Sequence, residues 1–413
     1  MLEDIKKPEL LIPAGNLETL KTAVIYGADA VYIGGDMYGL RAKAKNFSME
    51  DMKTGIEFAH QYGKKVYVTA NITAHNQDME GIHNYFRELN EFGDLRPDAL
   101  IISDPGVFSI AMDELPGIEL HISTQANNTN YETYRFWHRL GASRVVSARE
   151  LSMEELSQLR ANIPPEMEIE TFIHGAMCIA YSGRCLLSNY FTGRDANMGA
   201  CTHSCRWKYH IVEETRPGEF LPIEENERGT YLFNSKDLCM IEYIPDLVKA
   251  GIDSFKIEGR MKTALYVATV ARTYRKAIDD YFTDPMLYEK NKAQYMSEIR
   301  KGVNRQFTTG FFFQIPTHED QIYDHNTYEK AYTYLGTILG EKDGLYALEQ
   351  KNKFTVGEAV EIMKPNGKTL EVSVIRIINQ DGLDMDSCPH PQQMIYVDFG
   401  SKLEIYDVIR RKE

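Results

Sequence analysis

Cysteines are the residues of this sequence whose number and grouping most clearly indicate chemistry. Five of the six cysteines lie between residues 178 and 239, and only Cys388 lies far from them. The five are Cys178, Cys185, Cys201, Cys205 and Cys239. Thiolates grouped in this way bind soft metals, pair as disulfides or attack substrates. Because the sequence has no Cys-x-x-Cys pair, a zinc ribbon fits poorly, and thiolates from separated turns favour an iron–sulfur cluster over buried structural thiols.

A second group of chemically competent residues lies in the segment Lys256-Ile-Glu258-Gly-Arg260-Met-Lys262. The alternation of a strand puts Lys256 and Glu258 on the same side, where they could act as catalytic groups. Charges that point into a protein are costly unless they are paired or used. Lys256, Arg260 and Lys262 could therefore hold an anionic substrate, and a simple ion pair is the alternative.

Three further residues directly follow predicted strands. His174 could serve as a catalytic base, a substrate contact or a neighbour of a metal cluster, or it could be a hydrogen-bonded structural histidine. Arg41 and Arg149 could contact an anionic substrate, or could be ordinary surface charge. The sequence contains no G-x-S-x-G, H-E-x-x-H or Walker motif, so no motif supports a serine or zinc protease.

Eight short apolar segments alternate with helical patterns over the first 280 residues. They begin near residues 9, 29, 65, 98, 118, 144, 168 and 254. This alternation predicts a (β/α)₈ TIM-like barrel within a domain spanning 1–330, with a doubly wound open sheet as the alternative. The cysteine-rich insert, about 175–239, follows the seventh strand. Because functional loops of such barrels follow the carboxyl ends of the strands, the insert should lie on the catalytic face.

The sequence after the barrel changes to strand-like segments separated by turn signals such as Pro365-Asn366-Gly367. This pattern predicts a small C-terminal all-β barrel domain spanning 331–413. Within the insert, we expect Cys201 and Cys205 to share a helix face. The segment 238–250 reads as a helix that Cys239 opens.

Composition sets limits on location and partners. The formal net charge of the 413 residues is −14, which argues against a general nucleic-acid coat but allows an RNA-modifying enzyme with a local basic patch. The chain has no apolar run long enough to cross a bilayer and no apolar signal core at Met1-Leu-Glu-Asp-Ile. We therefore expect a cytoplasmic protein without a membrane association, in which structural disulfides are disfavoured.

Several motifs together resemble peptidase family U32. They are Glu170-Thr-Phe-Ile-His-Gly-Ala-Met-Cys-Ile-Ala-Tyr-Ser-Gly-Arg-Cys-Leu-Leu-Ser188, Glu9-Leu-Leu-Ile-Pro-Ala-Gly15, Leu40-Arg-Ala-Lys-Ala-Lys-Asn-Phe47, Ser147-Ala-Arg-Glu-Leu151 and Phe255-Lys-Ile-Glu-Gly-Arg-Met-Lys262. The family name implies collagenase-like proteolysis. The resemblance to its better understood members instead implies iron–sulfur proteins that support oxygen-independent hydroxylation of tRNA, ribosomal RNA or a ubiquinone precursor.

The branch with a C-terminal β module resembles proteins that make 5-hydroxyuridine at the wobble position of tRNA with prephenate as a possible co-substrate. This resemblance implies a 4Fe–4S cluster on Cys178, Cys185, Cys201 and Cys239, with Cys205 as the alternative to Cys201. It gives no secure catalytic residue, electron donor or second subunit. A thiol peptidase using Cys178 with His174, and a non-catalytic RNA-binding scaffold, are the competing hypotheses.

Overall fold

Seven successive strands of the chain pair in parallel, each with the next. The structure is a computed structural model that describes residues 5–40, 46–178, 180–207, 210–211, 221–222, 235–317, 320, 322 and 328–413. The strands are β1 (Glu9–Pro13), β2 (Ala30–Gly34), β3 (Lys65–Ala70), β4 (Ala99–Ile102), β5 (Glu119–Ile122), β6 (Arg144–Val146) and β7 (Glu168–Ala176). They are almost wholly buried, as strands covered on both faces must be.

Helices connect these strands and cover the outside of the sheet. They are α1 (Leu17–Ile25), α2 (Met49–Gln61), α3 (Met79–Asn90), α4 (Pro105–Glu114), α5 (Tyr131–Arg139) and α6 (Met153–Asn162). Most begin at a polar residue whose side chain accepts a backbone N–H, as at Asn16, Ser48 and Asp104. The cap residues therefore set where these connecting helices begin.

The insert leaves the ring after β7 and returns to it. It contains α7 (Leu187–Thr192) and the short strands β8 (His210–Ile211), β9 (Leu221–Pro222) and β10 (Asp237–Cys239). β10 runs antiparallel to the end of β7. The expected helix over 238–250 is therefore wrong in its first part, because backbone pairing with β7 makes 237–239 a strand, and the helix α8 (Ile244–Lys249) begins later.

The eighth barrel strand closes the ring. β11 (Ser254–Ile257) pairs in parallel with both β1 and β7. The helices α9 (Ala264–Thr283) and α10 (Pro285–Ile299) follow, and β12 (Phe307–Thr308) adds to β10. The predicted (β/α)₈ TIM-like barrel with an insert after the seventh strand is confirmed.

The C-terminal region forms one antiparallel eight-stranded sheet that curves into a half-barrel. Its strands are β13 (Tyr332–Lys342), β14 (Leu345–Glu349), β15 (Ala359–Met363), β16 (Thr369–Ser373), β17 (Arg376–Ile378), β18 (Asp384–Met385), β19 (Met394–Asp398) and β20 (Val408–Lys412). This confirms the all-β prediction. The sheet has its own apolar core, which includes the sixth cysteine, Cys388.

One buried tyrosine joins the two parts of the molecule. Tyr26, at the end of α1, donates its hydroxyl to Met363 O at 2.6 Å and accepts the backbone N–H of Val408. Arg272 of α9 donates to the carbonyl oxygens of Lys364 and Lys368. The C-terminal sheet therefore packs against α1 and α9. Among the helices of the described ranges, none is both long and apolar enough to cross a membrane.

Candidate functional site

A cavity of about 180 Å³ lies at the carboxyl ends of the barrel strands, where the insert covers them. Backbone and side-chain hydrogen bonds hold the insert there: Asn127 donates to Ser182 O at 2.7 Å, and Thr73 N donates to Asn197 O at 3.1 Å. We call this space the mouth cavity. Its barrel-side lining includes Tyr32, Thr69, Asn71, Ser123, Gln125, Arg149, Phe172, Lys256, Glu258 and Arg260.

Four cysteines of the insert line the same cavity: Cys178, Cys185, Cys201 and Cys205. Cys178 is exposed and the other three are partly buried, and all six cysteines of the chain are free thiols. A 3₁₀ turn over Ser204–Arg206 carries Cys205, so the expected helix face shared with Cys201 is wrong. The loop instead bends both thiols towards the mouth cavity.

Cys239 lies apart from this group. It pairs with His174 across β10 and β7, is 4% exposed, and packs in the core outside the barrel. Its Sγ lies 3.7 Å from the Tyr274 hydroxyl, and burial raises the pKa of the thiol to about 12. Cys239 contacts Tyr274 of α9 and is not among the residues that line the mouth cavity. The structure brings Cys205 there in addition to Cys201, rather than as its alternative.

The four cavity thiols influence one another electrostatically. Burial raises the pKa of Cys205 to about 11, with Arg206 acting against this and the thiols of Cys178, Cys201 and Cys185 adding to it. Burial likewise raises the pKa of Cys185. Cys201 Sγ accepts the backbone N–H of His203 at 3.4 Å. These thiols therefore share one environment, in which a bound metal centre would have to displace their protons.

The four thiols match the donor set of a 4Fe–4S cluster in number and chemistry. Such a cluster takes one thiolate on each iron, so its ligands surround the cluster without meeting at one atom. Within the described part of the chain, no group of three or more His, Cys, Asp or Glu side chains is arranged to hold a single metal ion.

Lys256 is held at the floor of the mouth cavity by a buried ion network. Its Nζ donates to Glu170 Oε1 at 2.6 Å and lies 4.7 Å from the centre of the Tyr32 ring. Glu170 also accepts from Arg144, 3.0 Å away. Although burial acts to raise the pKa of Glu170, Lys256 and Arg144 outweigh it and hold that pKa below its usual value. The ion pair predicted from the sequence as the alternative to anion binding is therefore present. It fixes the position of the Lys256 side chain, which still lines the cavity.

Arg149 and Glu258 form an ion pair on the wall of the mouth cavity. Arg149 Nη2 lies 3.6 Å from Glu258 Oε2, and the guanidinium stacks on the Phe172 ring at 4.0 Å. Gly175 allows this arrangement, because its φ is +108° and an added Cβ would lie 2.4 Å from Glu258 O. The structure thus brings these two predicted site residues together in the lining of the mouth cavity.

Arg260 lies almost fully buried on the cavity wall. Its Nη1 donates to Thr69 Oγ1 and its Nη2 to Asn46 Oδ1, each at 3.1 Å. The guanidinium rests on Gly34, where an added Cβ would lie 2.4 Å from Nη1. Arg260 thus connects the loop after β2 to strand β3 and presents a cation to the mouth cavity.

Two other predicted site residues, His174 and Lys262, are not among the side chains that line this cavity. His174 is 2% exposed within an aromatic cluster of Tyr266, Tyr274 and Phe307, and burial lowers its pKa to about 3, with a smaller contribution from Lys262. Lys262 donates to Val303 O and lies over the Tyr328 ring at 4.4 Å. The structure thus places both side chains among residues outside the barrel and does not bring them together with the other predicted site residues. Arg41 lies outside the described residues.

Sequence reasoning missed the amides and hydroxyls of the cavity wall. Thr69 and Asn71 end β3, while Ser123 and Gln125 follow β5. Asn71 Nδ2 donates to Ser123 Oγ at 3.0 Å, so the ends of β3 and β5, which flank β4, share one polar wall. The polar residues that directly follow β3 and β5 were the available signal, because the carboxyl ends of barrel strands converge.

Comparison with known proteins agrees with this architecture. Residues 15–322 match the model of peptidase family U32, and residues 330–410 match the model of the peptidase family U32 C-terminal domain. The chain is 42% identical to tRNA hydroxylation protein P1 of Bacillus subtilis strain 168, covering 98% of this chain and 95% of that protein.

Two further relatives are named for RNA modification. The chain is 38% identical to tRNA hydroxylation protein P of Escherichia coli K12, covering 97% of this chain and 95% of that protein. It is 34% identical to the 23S rRNA 5-hydroxycytidine C2501 synthase of the same strain, covering 75% of this chain and 48% of that protein. The match over most of the barrel and over the C-terminal sheet shows that the chain belongs to peptidase family U32.

Proposed function

We propose that this protein is an enzyme that hydroxylates tRNA, forming 5-hydroxyuridine at the wobble position with a 4Fe–4S cluster and with prephenate as a co-substrate. One structural observation carries the proposal: four thiols, four cationic side chains and a carboxylate line a single cavity at the catalytic end of a barrel. The names of the relatives support tRNA as the substrate. The cluster and prephenate rest on the resemblance and on the chemistry of the lining.

Cys178, Cys185, Cys201 and Cys205 would hold the cluster. A bound iron–sulfur cluster supplies one-electron transfer chemistry. The chain's own contribution is to close the site: the insert covers the strand ends, and the low exposure of Lys256 and Arg260 shows that the cavity wall is largely shielded from water. Shielding strengthens each charged contact to a bound substrate.

Arg149 and Arg260 are suited to bind the carboxylates of prephenate. Each guanidinium has five N–H donors in a planar fork that matches a carboxylate. Phe172 supports the guanidinium of Arg149, while Thr69 and Asn46 fix that of Arg260. Lys256, fixed by Glu170, adds positive charge at the floor. Glu258, which pairs with Arg149, is the carboxylate placed to exchange a proton with a bound substrate.

The peptidase alternative receives no support from the same geometry. A thiol peptidase needs a histidine base beside its cysteine. Cys178 lines the mouth cavity, but His174 is buried on the outer side of β7 and contacts Tyr274 instead. The pair that the spacing suggested is therefore not assembled.

Nucleoside mass spectrometry tests the proposal. Total tRNA from a strain lacking the gene should contain no 5-hydroxyuridine, and restoring the gene should restore the nucleoside. A strain that retains wild-type levels of 5-hydroxyuridine without the gene would contradict the proposal. Cleavage of gelatin by the purified protein, lost in Cys178→Ala, would favour the peptidase alternative.

A further inference from the structure

The outer face of the insert exposes large aromatic side chains. Tyr190 and Phe191 of α7 lie with ring centres 5.2 Å apart, and the Phe191 ring lies 6.3 Å from that of Trp207. Tyr190 is 83% exposed and Trp207 is 45% exposed. Clustered exposed aromatic groups of this kind usually mark a binding surface, because exposing them to water is unfavourable.

The charge of the insert segment that carries this face differs from that of the whole chain. Residues 178–207 contain Arg184, Arg194 and Arg206 but only one acidic residue, Asp195, whereas the whole chain has a net charge of −14. Arg194 is exposed directly after α7. An exposed arginine, Arg194, beside exposed aromatic rings favours a polyanion with flat rings over an apolar protein segment.

The same face leads into the mouth cavity. An open depression of about 630 Å³ is lined by Thr192, Arg194, Gly199, Cys201, Thr202, His203, Trp207 and Met261. Cys201 and His203 line both this depression and the mouth cavity. A ligand bound in the depression would therefore lie next to Cys201, one of the thiols proposed to hold the cluster.

We propose that this face, made of Tyr190, Phe191, Arg194, His203 and Trp207, stacks the unpaired bases of an RNA loop beside the base that enters the mouth cavity. The inference rests on the proposed function for the choice of RNA. Enzymes that modify a base take it out of its stack, and the flanking bases then need new stacking partners. Aromatic rings provide these partners for any base, and Arg194 contacts the backbone phosphate.

The two tryptophans of the chain give a direct readout of stacking. Trp207 is exposed, whereas Trp137 is 5% exposed and packs on Phe108 and Phe136. A synthetic anticodon stem-loop RNA should quench the emission of anaerobically prepared full-length protein, and Trp207→Phe should abolish this change. A blunt duplex with the same stem sequence should quench much less, because its bases are already stacked.

Affinity measurements complete the test. Trp207→Ala should weaken stem-loop binding about tenfold, the effect expected for losing one base–aromatic stack. Arg194→Ala should weaken binding and reduce its dependence on salt. The matched controls are Tyr62→Ala and Arg139→Ala, which change exposed residues at the ends of α2 and α5, on the opposite side of the barrel. Both controls should bind as the wild type does.

Several outcomes would overturn this inference. They are equal stem-loop affinity in wild type and Trp207→Ala, equal quenching by loop and duplex, or no binding of the stem-loop at low salt. Reduced tRNA hydroxylation in Trp207→Ala with unchanged RNA affinity would assign the face to another partner, such as a protein electron donor. Stem-loop binding that depends on Trp207 in a protein that does not hydroxylate tRNA would leave this inference intact and contradict the proposed function.

Discussion

At the residue scale, the main finding is which thiols share the mouth cavity. Cys178, Cys185, Cys201 and Cys205 line it, whereas Cys239 is buried on the other side of β7 beside Tyr274. The spacing of the cysteines in the sequence could not show that Cys205 lines the cavity and that Cys239 does not. Which side of a three-residue strand faces the core depends on its pairing with β7, and that pairing joins residues about sixty positions apart.

The first prediction compares these cysteines by iron content. Cys205→Ser should lose most of the iron of anaerobically reconstituted protein, because a hydroxyl is a poor ligand for a cluster. Cys239→Ser should keep wild-type iron and lose about 1 kcal/mol of unfolding free energy, as is typical of a small change in a core. Cys388→Ser, in the C-terminal core, is the control. Retained iron in Cys205→Ser together with lost iron in Cys239→Ser would restore the original ligand assignment.

The second prediction concerns Arg260, which is held by Thr69 and Asn46 on the cavity wall. Arg260→Lys keeps the charge but loses the planar fork. Hydrogen bonds to charged groups contribute about 1.5–3 kcal/mol, so tRNA hydroxylation should fall about tenfold or more. Iron content should remain at the wild-type level. Full activity in a variant with a lowered melting temperature would show that Arg260 only steadies the contact between the loop after β2 and strand β3.

At the element scale, the barrel strands were located from sequence to within about two residues. Buried parallel strands are continuous apolar runs, and helix caps such as Asn16 and Ser48 mark the connections. The short strand β10 was missed because three residues carry no periodicity. The polar groups inside the barrel were also missed as a network, since Glu9, Arg144 and Glu170 come from three separate strands.

The third prediction uses this network to relate stability to pH. Burial acts to raise the pKa of Glu168, but Arg144 and Lys6 outweigh it and lower the pKa from the usual 4.5 to about 2. As the pH falls, the Glu168 carboxylate therefore binds a proton at a higher pH in the unfolded chain than in the folded protein. Stability from this group is fully present above about pH 4.5 and is lost as pH falls to about 2.

Urea unfolding at several pH values checks this prediction. The unfolding free energy of wild type should decline through this window. Glu168→Gln should be less stable than wild type at neutral pH and should show a shallower decline. A parallel decline in both proteins would mean that Glu168 does not contribute to the acid sensitivity.

At the scale of the whole molecule, sequence predicted two structural parts but not how they meet. Tyr26 reads as an apolar residue of α1, yet its hydroxyl bonds with Met363 O and the N–H of Val408 in the C-terminal sheet. These contacts join residues more than 300 positions apart, so no local pattern reports them. The same limit applies to the mouth cavity, whose wall combines strand ends with the distant insert.

The fourth prediction tests this junction. Tyr26→Phe leaves a buried carbonyl and a buried N–H without the hydroxyl, which should cost about 1–3 kcal/mol of unfolding free energy. Thermal denaturation should show a lower melting temperature than wild type. Tyr62→Phe, at an exposed tyrosine that follows α2, is the control and should melt as wild type does. Equal melting temperatures for all three proteins would mean that the junction does not stabilise the molecule.

The central claim is that the four thiols of the mouth cavity support hydroxylation of tRNA. The most direct measurement is the 5-hydroxyuridine content of tRNA, by mass spectrometry, in a deletion strain carrying wild type, Cys205→Ser or Cys239→Ser at equal protein levels. The nucleoside should return with wild type and Cys239→Ser and remain absent with Cys205→Ser. Restoration by Cys205→Ser to the wild-type level would contradict the claim.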